Sequence, residues 1–564
     1  MGNEEKKMKN QNQILFNKGV NFFKEKNFLE SEKCFEKLNN LDPNHAGILN
    51  NLSFCYFENK KFEKSEKIIR KIIDLSSEKK NHIEFLLLVL KKQDKTREIN
   101  EVIFKYKTQI SPRYELLEKF QCSSIPMDKE EIDECRLKTT KNIEKEIFEN
   151  KLKLKVDDDF IDPPLFPFSY HNKNNLELSL KINKLLNSCY PELQEKFEIN
   201  KTVNKKIKIG FISEFFKNHT IANLYKGLII NLDDSKFEKY IFNLQGSNGL
   251  DQEFIEAEKK NKLKVIELPN KFKEKINLIL KQNLDIIFYP DIGMSTHLYY
   301  LTFLRLAKFQ VTSWGHPETT GNPNIDYFLS SKLLEIELNK AQEHYSEKLI
   351  LSDYLPMYYS KPLIKKINDY ELIQNNIYSC PQTLFKIHPD FDEIIKKILI
   401  NDKKAKIFFI NDIDNIFSKK IFERLSKKLN SSIENVKFIN QLSREEFINH
   451  CGRASVLLDP LYFGAGNSLY ESLVYGTPTV SLPTEFLKGK TVEGAYKQMK
   501  IEKPLLATNI DEYVYMATEA ANLSSKKILE KKKYYQDQAE KHLFKNNFGL
   551  ISLQNLLINI MQKS

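Results

Sequence analysis

Cysteine is scarce and odd in number: Cys34, Cys55, Cys122, Cys135, Cys189, Cys380 and Cys451, with no C-x-x-C pair among them. That pattern argues against a disulfide framework and against a cysteine-built zinc site, and it points to a reducing, cytoplasmic compartment. Long apolar runs are missing too. The longest, Phe85 to Leu90, has six residues, whereas a membrane-spanning helix needs about 18 or more, so no membrane span is expected. The opening residues, Met1-Gly2-Asn3-Glu4-Glu5-Lys6, lack the apolar stretch of a secretory signal, and Lys6 stands where a myristoylation signal wants Ser or Thr. A basic stripe with interleaved aromatics is also lacking. The longest basic cluster, Lys526 to Lys533, is broken by Ile528, Leu529 and Glu530. The excess of 87 basic over 76 acidic side chains, +11 in 564 residues, therefore reads as solvated surface, and nucleic acid is not an expected partner.

What is present is enough for packed cores. Hydrophobic residues make up 41% of the chain, and about 100–200 residues per domain gives three or four domains. The first organised signal is self-similarity at a period of 34 residues. Leu15 matches Leu49, Phe22 matches Tyr56, Phe28 matches Phe62, Phe35 matches Ile69, Leu38 matches Ile72 and Leu41 matches Leu75, while Ser31-Glu32-Lys33 returns as Ser65-Glu66-Lys67. Two amphipathic helices per unit, with a small residue at their crossing and Pro43 near the unit's end, read as a tetratricopeptide repeat. A degenerate third unit is expected over 80–113, with Leu86, Leu90, Ile103 and Tyr106 as its core. One unit cannot bury its apolar face alone, so the units must stack. Residues 114–205 read as a helical connector, broken by Asp157-Asp158-Asp159 and by an extended Pro163-Pro164-Leu165-Phe166-Pro167.

From residue 206 the pattern changes. Lys206 to Ser213, Asp285 to Tyr289, Lys406 to Ile410, Val436 to Ile439, Ser455 to Asp459 and Thr479 to Leu482 read as strands separated by helical segments. Alternating strands and helices imply parallel sheets. A break near 355–375 predicts two lobes, 206–365 and 366–564, facing each other across a cleft. Open α/β sheets bind ligands at the carboxyl ends of their strands, so chemistry is sought there.

The most informative stretch is Asp459-Pro-Leu-Tyr-Phe-Gly-Ala-Gly-Asn-Ser-Leu-Tyr-Glu471. Gly464 and Gly466 permit close approach of backbone to a ligand. Asn467 and Ser468 open a helix, whose free N–H groups attract phosphate, and Glu471 lies on the same face as Asn467, placed to accept from ribose hydroxyls. Lys386, in Cys380-Pro-Gln-Thr-Leu-Phe-Lys-Ile-His-Pro389, is a cation that neutralises a leaving diphosphate if it faces the cleft. His219, Asp291 and the loop Trp314-Gly-His-Pro-Glu-Thr-Thr-Gly321, which holds the only Trp, are further cleft candidates.

These motifs occur in the order found in protein O-linked N-acetylglucosamine transferases and SPINDLY-like proteins, and from 206 to 500 the chain resembles the bacterial members of that family. The resemblance implies tetratricopeptide repeats followed by a GT-B fold of two Rossmann-like lobes. It implies inverting, metal-independent transfer of N-acetylglucosamine or another hexose from a nucleotide sugar, UDP-linked, to Ser or Thr of a protein acceptor engaged by the repeats. No cofactor and no metal are implied. Carried over position by position, His219 stands near sugar and acceptor, Asp291 faces the acceptor, and Lys386 and Gln382 lie at the diphosphate. Asn467 and Ser468, after Gly466, hold phosphate oxygens, Glu471 holds the ribose, and Leu442 and Arg444 meet the base. The sequence departs from the animal enzymes, which have His-Thr-Thr where Gly466-Asn467-Ser468 stand, Asp at the place of Glu471, and arginine near Lys488-Gly489-Lys490. N-glucosylation of Asn, or a non-catalytic repeat scaffold, are the alternatives.

Overall fold

The computed structural model describes residues 2–120, 122–157, 160–162, 165–199, 205–244, 249–368 and 375–562, without the side chains of 2–9. The chain divides into two compact units, Met1–Ser124 and Ile125–Ser564.

The first unit is three helix pairs: Gly2–Lys24 with Phe28–Leu41, Ala46–Glu58 with Phe62–Leu75, and Lys80–Lys92 with Thr96–Tyr106. The third pair is the degenerate unit, and its Leu86, Leu90 and Ile103 are buried. The 34-residue period recurs in the buried polar contacts. Ser31 Oγ donates to Gly19 O and Ser65 Oγ to Ser53 O, both at 2.8 Å. Glu32 accepts from Asn59 and Lys61, and Glu66 accepts from Gln93 and Lys95. Each carboxylate thus ties its repeat to the turn between the two helices of the next. The matched pair Leu41 and Leu75 instead repeats on the surface, at 58% and 53% exposure.

Burial would raise the Glu66 carboxyl, but hydrogen bonds from Lys95, Gln93 and Arg70 overcome it and hold it below its ordinary value. The stabilisation is therefore present at neutral pH and is lost as acid protonates Glu66. Glu66→Ala leaves the half-buried donors unmet and is expected to cost the repeat unit about 1–3 kcal/mol in urea unfolding at pH 7, and less in acid.

The second unit holds two all-parallel sheets. The first contains β1 (Ile207–Ser213), β2 (Phe237–Leu244), β3 (Lys264–Leu268), β4 (Ile286–Tyr289), β5 (Phe309–Ser313), β6 (Tyr327–Ser331) and β7 (Lys348–Ser352), in the order β3-β2-β1-β4-β5-β6-β7. The second contains β8 (Ile377–Cys380), β9 (Lys406–Ile410), β10 (Val436–Ile439), β11 (Val456–Leu458) and β12 (Thr479–Val480), in the order β10-β9-β8-β11-β12. In each sheet the chain runs outward from the middle and then returns to the other side of its first strand. The reversal falls between β1 and β4 and between β8 and β11, and such switch points are where open α/β sheets receive ligands.

β2, β3, β5, β6 and β7 do not stand out in the sequence. β5 and β6 are central, yet they carry Gln310, Thr312, Ser313, Ser330 and Ser331, all buried. Their polar groups are met inside the lobe: Gln310 Nε2 donates to Asn324 O, Thr312 Oγ1 to Tyr289 O and Ser313 Oγ to Leu329 O. A buried polar strand satisfied from its neighbours has no apolar run to announce it.

The connector contributes helices Lys129–Glu149 and Leu176–Cys189, and the latter is tied to the first lobe by Asn183 Nδ2 donating to Thr320 O at 2.6 Å. Asp158, Asp159, Pro163 and Pro164 lie outside the described residues, and Leu165–Ser169 forms a helical turn rather than continuing extended. The last helix, Asn547–Gln562, does not stay with the second sheet. Leu553, Leu557 and Ile560 join the first lobe's core, and Ser352 Oγ donates to Ser552 Oγ at 2.8 Å. No described helix is long and apolar enough to cross a membrane. Five cysteines, Cys34, Cys55, Cys189, Cys380 and Cys451, are free and buried, whereas Cys122 and Cys135 are disulfide-bonded, against the expectation from the sequence.

Candidate functional site

All the predicted residues but Leu442 and Arg444 follow the four strands that flank the two switch points. His219 follows β1, Asp291 follows β4, Gln382 and Lys386 follow β8, and the stretch from Gly464 to Glu471 follows β11. Leu442 and Arg444 follow β10, beside the start of helix Arg444–Arg453, which Ser443 and Glu446 close with a capping box.

In the second lobe these pieces meet. Lys386 Nζ donates to Gln382 Oε1 at 3.1 Å and to Gly464 O at 3.2 Å, and it lies over the Phe463 ring. Gln382 Nε2 in turn donates to Ser468 Oγ at 2.6 Å. A continuous polar chain therefore runs from the turn after β8 to the mouth of the helix after β11. That helix is short, Asn467–Ser472, and ends in a turn before Gly476 at φ +66°. Its dipole is correspondingly small, so the free N–H groups of its first turn carry most of its pull on an anion. Asn467 Oδ1 accepts from Tyr359 Oη at 2.7 Å, so its amide oxygen is occupied and its N–H₂ is the group left to donate.

The two glycines differ. A Cβ on Gly464 would press on Thr491 Oγ1 and Asp459 Oδ2, whereas one on Gly466 would meet nothing within 4 Å. Gly464 serves packing, and Gly466 is the open one, where backbone can approach a ligand. The loop is anchored by Asp459, whose Oδ1 accepts from Ala465 N at 2.7 Å and whose Oδ2 accepts from Ser481 Oγ at 2.6 Å. Burial pushes the Asp459 carboxyl up to about 6. Burial also draws the Lys386 ammonium down to about 8, against the pull of Asp459 and the Cys380 sulfur. Glu471, 7% exposed, accepts from Arg444 Nε at 2.6 Å, so the proposed ribose and base residues are neighbours.

On the first lobe, His219 caps helix Thr220–Asn231. Its Nδ1 accepts from Ile221 N at 3.2 Å, and its ring packs on Phe215. Burial and the nearby Lys217 lower its pKa, so the ring is neutral at pH 7. With Nδ1 accepting, the proton of the neutral ring sits on Nε2. Asp291 is shut away from solvent, and its Oδ1 has no hydrogen-bond partner among the described residues. It is 0% exposed, one oxygen accepts from Ser213 Oγ at 3.0 Å, and burial pushes it up to about 8. The loop after β5 is likewise a buried strut and not a cleft wall. Trp314 and His316 are 4% and 2% exposed, and burial holds His316 near 3. Glu318 of this loop is ion-paired with buried Lys488 of the second lobe, which joins the lobes at one point. Sequence reasoning assigned no role to Asp459, Phe463 or Tyr359. Asp459, the last residue before a glycine-containing loop, carried a usable signal; the other two did not. Among the described residues no group of three or more His, Cys, Asp and Glu side chains is placed to hold a metal ion.

Two parallel-sheet lobes of this topology are the GT-B architecture, preceded in this chain by tetratricopeptide helices. The family model "Tetratricopeptide repeat" matches residues 13–45 and 46–79. Over 326 residues, 56% of the chain and 51% of the relative, the protein is 25% identical to a UDP-glucose:protein N-β-glucosyltransferase of Actinobacillus pleuropneumoniae serotype 5b. Over 350 residues, 57% of the chain and 35% of the relative, it is 21% identical to a probable UDP-N-acetylglucosamine–peptide N-acetylglucosaminyltransferase, SPINDLY, of Petunia hybrida. The chain thus spans about half, or less, of the length of these relatives. An O-GlcNAc transferase mutant from Thermobaculum terrenum superposes with a TM-score of 0.65 at 14% identity, covering 97% of this chain and 96% of that one, and so has the same fold. The resemblance to O-GlcNAc transferase and SPINDLY-like proteins is borne out.

Proposed function

We propose that this protein transfers a hexose from a UDP-sugar to a protein acceptor, with inversion and without a metal cofactor. The observation that carries the reading is the Lys386–Gln382–Ser468 chain, which sets a cation and a helix's free N–H groups around one point at the second switch point. A diphosphate there would take the Lys386 ammonium in place of Gly464 O, and further hydrogen bonds from Ser468 and the Asn467 amide. Arg444 and Glu471 would hold the nucleoside. The acceptor oxygen or nitrogen attacks the anomeric carbon, the bond to the diphosphate oxygen breaks on the opposite face, UDP leaves with the electron pair, and the acceptor's proton passes to solvent water. Charge grows on that oxygen, where preorganised donors act most strongly.

His219 would donate from Nε2 to the sugar or acceptor. His219→Asn keeps a good helix cap but removes this donor, and it is expected to lower kcat about 10²-fold or more with UDP affinity unchanged, read from initial rates and calorimetry. The repeats would hold the acceptor protein, and five of the seven cysteines are free, buried thiols that suit the cytoplasm. The relatives at 25% and 26% identity are protein N-β-glucosyltransferases by name, which favours testing a nitrogen acceptor, the Asn amide, alongside Ser and Thr. The test is incubation of the full chain with UDP-glucose or UDP-N-acetylglucosamine and an acceptor protein, with modified residues located by mass spectrometry. A modified Ser, Thr or Asn supports the reading. An unmodified acceptor, together with no thermal stabilisation by any nucleoside diphosphate, would favour a scaffold; a bound ligand at 100 times its Kd adds about 2.7 kcal/mol.

A further inference from the structure

Tyr462, on the loop after β11, has φ +76°. Every other non-glycine residue with positive φ among the described residues is Asn, Asp or Lys, at φ 49–60°. Asn and Asp visit that region because their short side chains bond locally, and glycine takes it without steric cost. A tyrosine persists there only where its surroundings over-determine it.

Those surroundings are the segment that follows Lys386. Tyr462 Oη donates to Asp390 Oδ2 at 2.6 Å, and its ring meets the His388 ring edge-on, with centroids 4.6 Å apart. Asp390 is itself fixed. Its N–H donates to His388 Nδ1 at 3.1 Å, and its Oδ1 pairs with Lys129 at 3.0 Å. Burial would raise the Asp390 carboxyl, but hydrogen bonds from Tyr462 and Lys129 hold it below its ordinary value. The phenol therefore donates to a carboxylate, a stronger acceptor than a neutral one.

The loops after β8 and β11 are thus joined at three places: Tyr462 to Asp390, Lys386 to Gly464 O, and Gln382 to Ser468. A diphosphate that takes Lys386 from Gly464 O breaks the second of these. The Tyr462 anchor involves neither Lys386 nor Ser468, so it survives the exchange and keeps the loops in register.

We propose that Tyr462 is a positioning residue for the donor diphosphate. Held by Asp390 and His388, it maintains a left-handed turn that sets the Phe463 ring under Lys386 and the Gly464 carbonyl within its reach. The inference deepens the donor-site reading and rests on it. Without the anchor the strained turn relaxes, fewer molecules hold the loop ready, and apparent affinity falls by that fraction.

The test compares Tyr462→Ala with Tyr462→Gly in the full chain. Alanine keeps the strain and loses the anchor; glycine loses both. UDP affinity, read by calorimetry, should fall about tenfold or more in the alanine variant and lie about threefold or more closer to the wild type in the glycine variant. A side chain that touched the ligand directly would make the two variants equally poor, and one that only filled space would make glycine the poorer. A second readout uses no nucleotide. Acetylation of Lys386 by trace acetic anhydride, counted by peptide mass spectrometry, should rise about threefold or more in Tyr462→Ala, as the lysine leaves Gly464 O, and less in Tyr462→Gly. If the alanine variant does not fold, Tyr462→Phe, which lacks only the bond to Asp390, decides, with a change of about threefold expected in both readouts. Equal effects of alanine and glycine, or Lys386 labelling unchanged in every folded variant, would overturn the proposal. Wild-type protein that binds no UDP would end the donor-site reading instead, and the labelling would still decide the role of Tyr462.

Discussion

Lys386→Ala is expected to lower turnover at least 10²–10³-fold, the cost typical of removing one preorganised donor from a developing oxyanion, while the fold survives. The reason for the large effect is geometric. Lys386 is the cation that the second lobe sets beside the mouth of the Asn467 helix, and in the unliganded protein its ammonium rests on Gln382 and the Gly464 carbonyl. These are weak, replaceable partners for a charge. Burial has already lowered its pKa to about 8, and a bound diphosphate would restore it. The sign of the pH dependence follows. The charged form is needed, so kcat/KM should fall as pH rises through about 8, whereas kcat, measured with the diphosphate in place, should hold to higher pH. For stability the same shift acts in the opposite direction. Between about 8 and the ordinary lysine value the unfolded chain holds a proton that the folded protein has lost, so the contribution of this group to stability rises with pH across that window. UDP should therefore stabilise the wild type more at pH 7 than at pH 9, and Lys386→Ala should erase that difference.

The second large effect is expected at the lobe junction. Glu318→Ala strands Lys488, whose side chain is 1% exposed, and should destabilise the α/β unit by about 3–5 kcal/mol, the range for removing one partner of a buried ion pair. Burial, with a smaller push from Arg136, lowers the Lys488 pKa, and Glu318 opposes it, so without Glu318 the lysine must lose its proton or draw in water. The double variant Glu318→Leu/Lys488→Met, which removes both charges, should recover most of the loss in urea unfolding. Failure to recover would mean that Glu318 acts through Asn175, which donates to it at 2.7 Å, and not through the lysine.

How much of this was legible in the sequence depends on the distance over which each residue acts. The repeats were legible because one period governs both the core and the buried contacts of Ser31 and Ser65. Six strands were legible as apolar runs. Gly466, Asn467 and Ser468 were legible because a strand end, a glycine and a helix start leave a local pattern. The remainder rests on contacts between distant segments. Tyr359 on Asn467, Phe463 beneath Lys386 and Glu318 on Lys488 have no local signature, and β5 and β6 conceal themselves behind Ser, Thr and Gln that their neighbours satisfy. Asp291 sits at a switch point, which made it a candidate. Its side chain turns into the core to meet Ser213, and spacing alone does not report that direction.

The central claim is that Lys386 and the Asn467 helix start hold a pyrophosphate together, without a bound cation. Calorimetric titration of UDP into the full chain in excess chelator tests it most directly. One-site binding, unchanged by the chelator and weakened at least tenfold by Lys386→Ala, is the expected result. Binding that vanishes when divalent ions are removed, or that is as tight in the alanine variant as in the wild type, would contradict it.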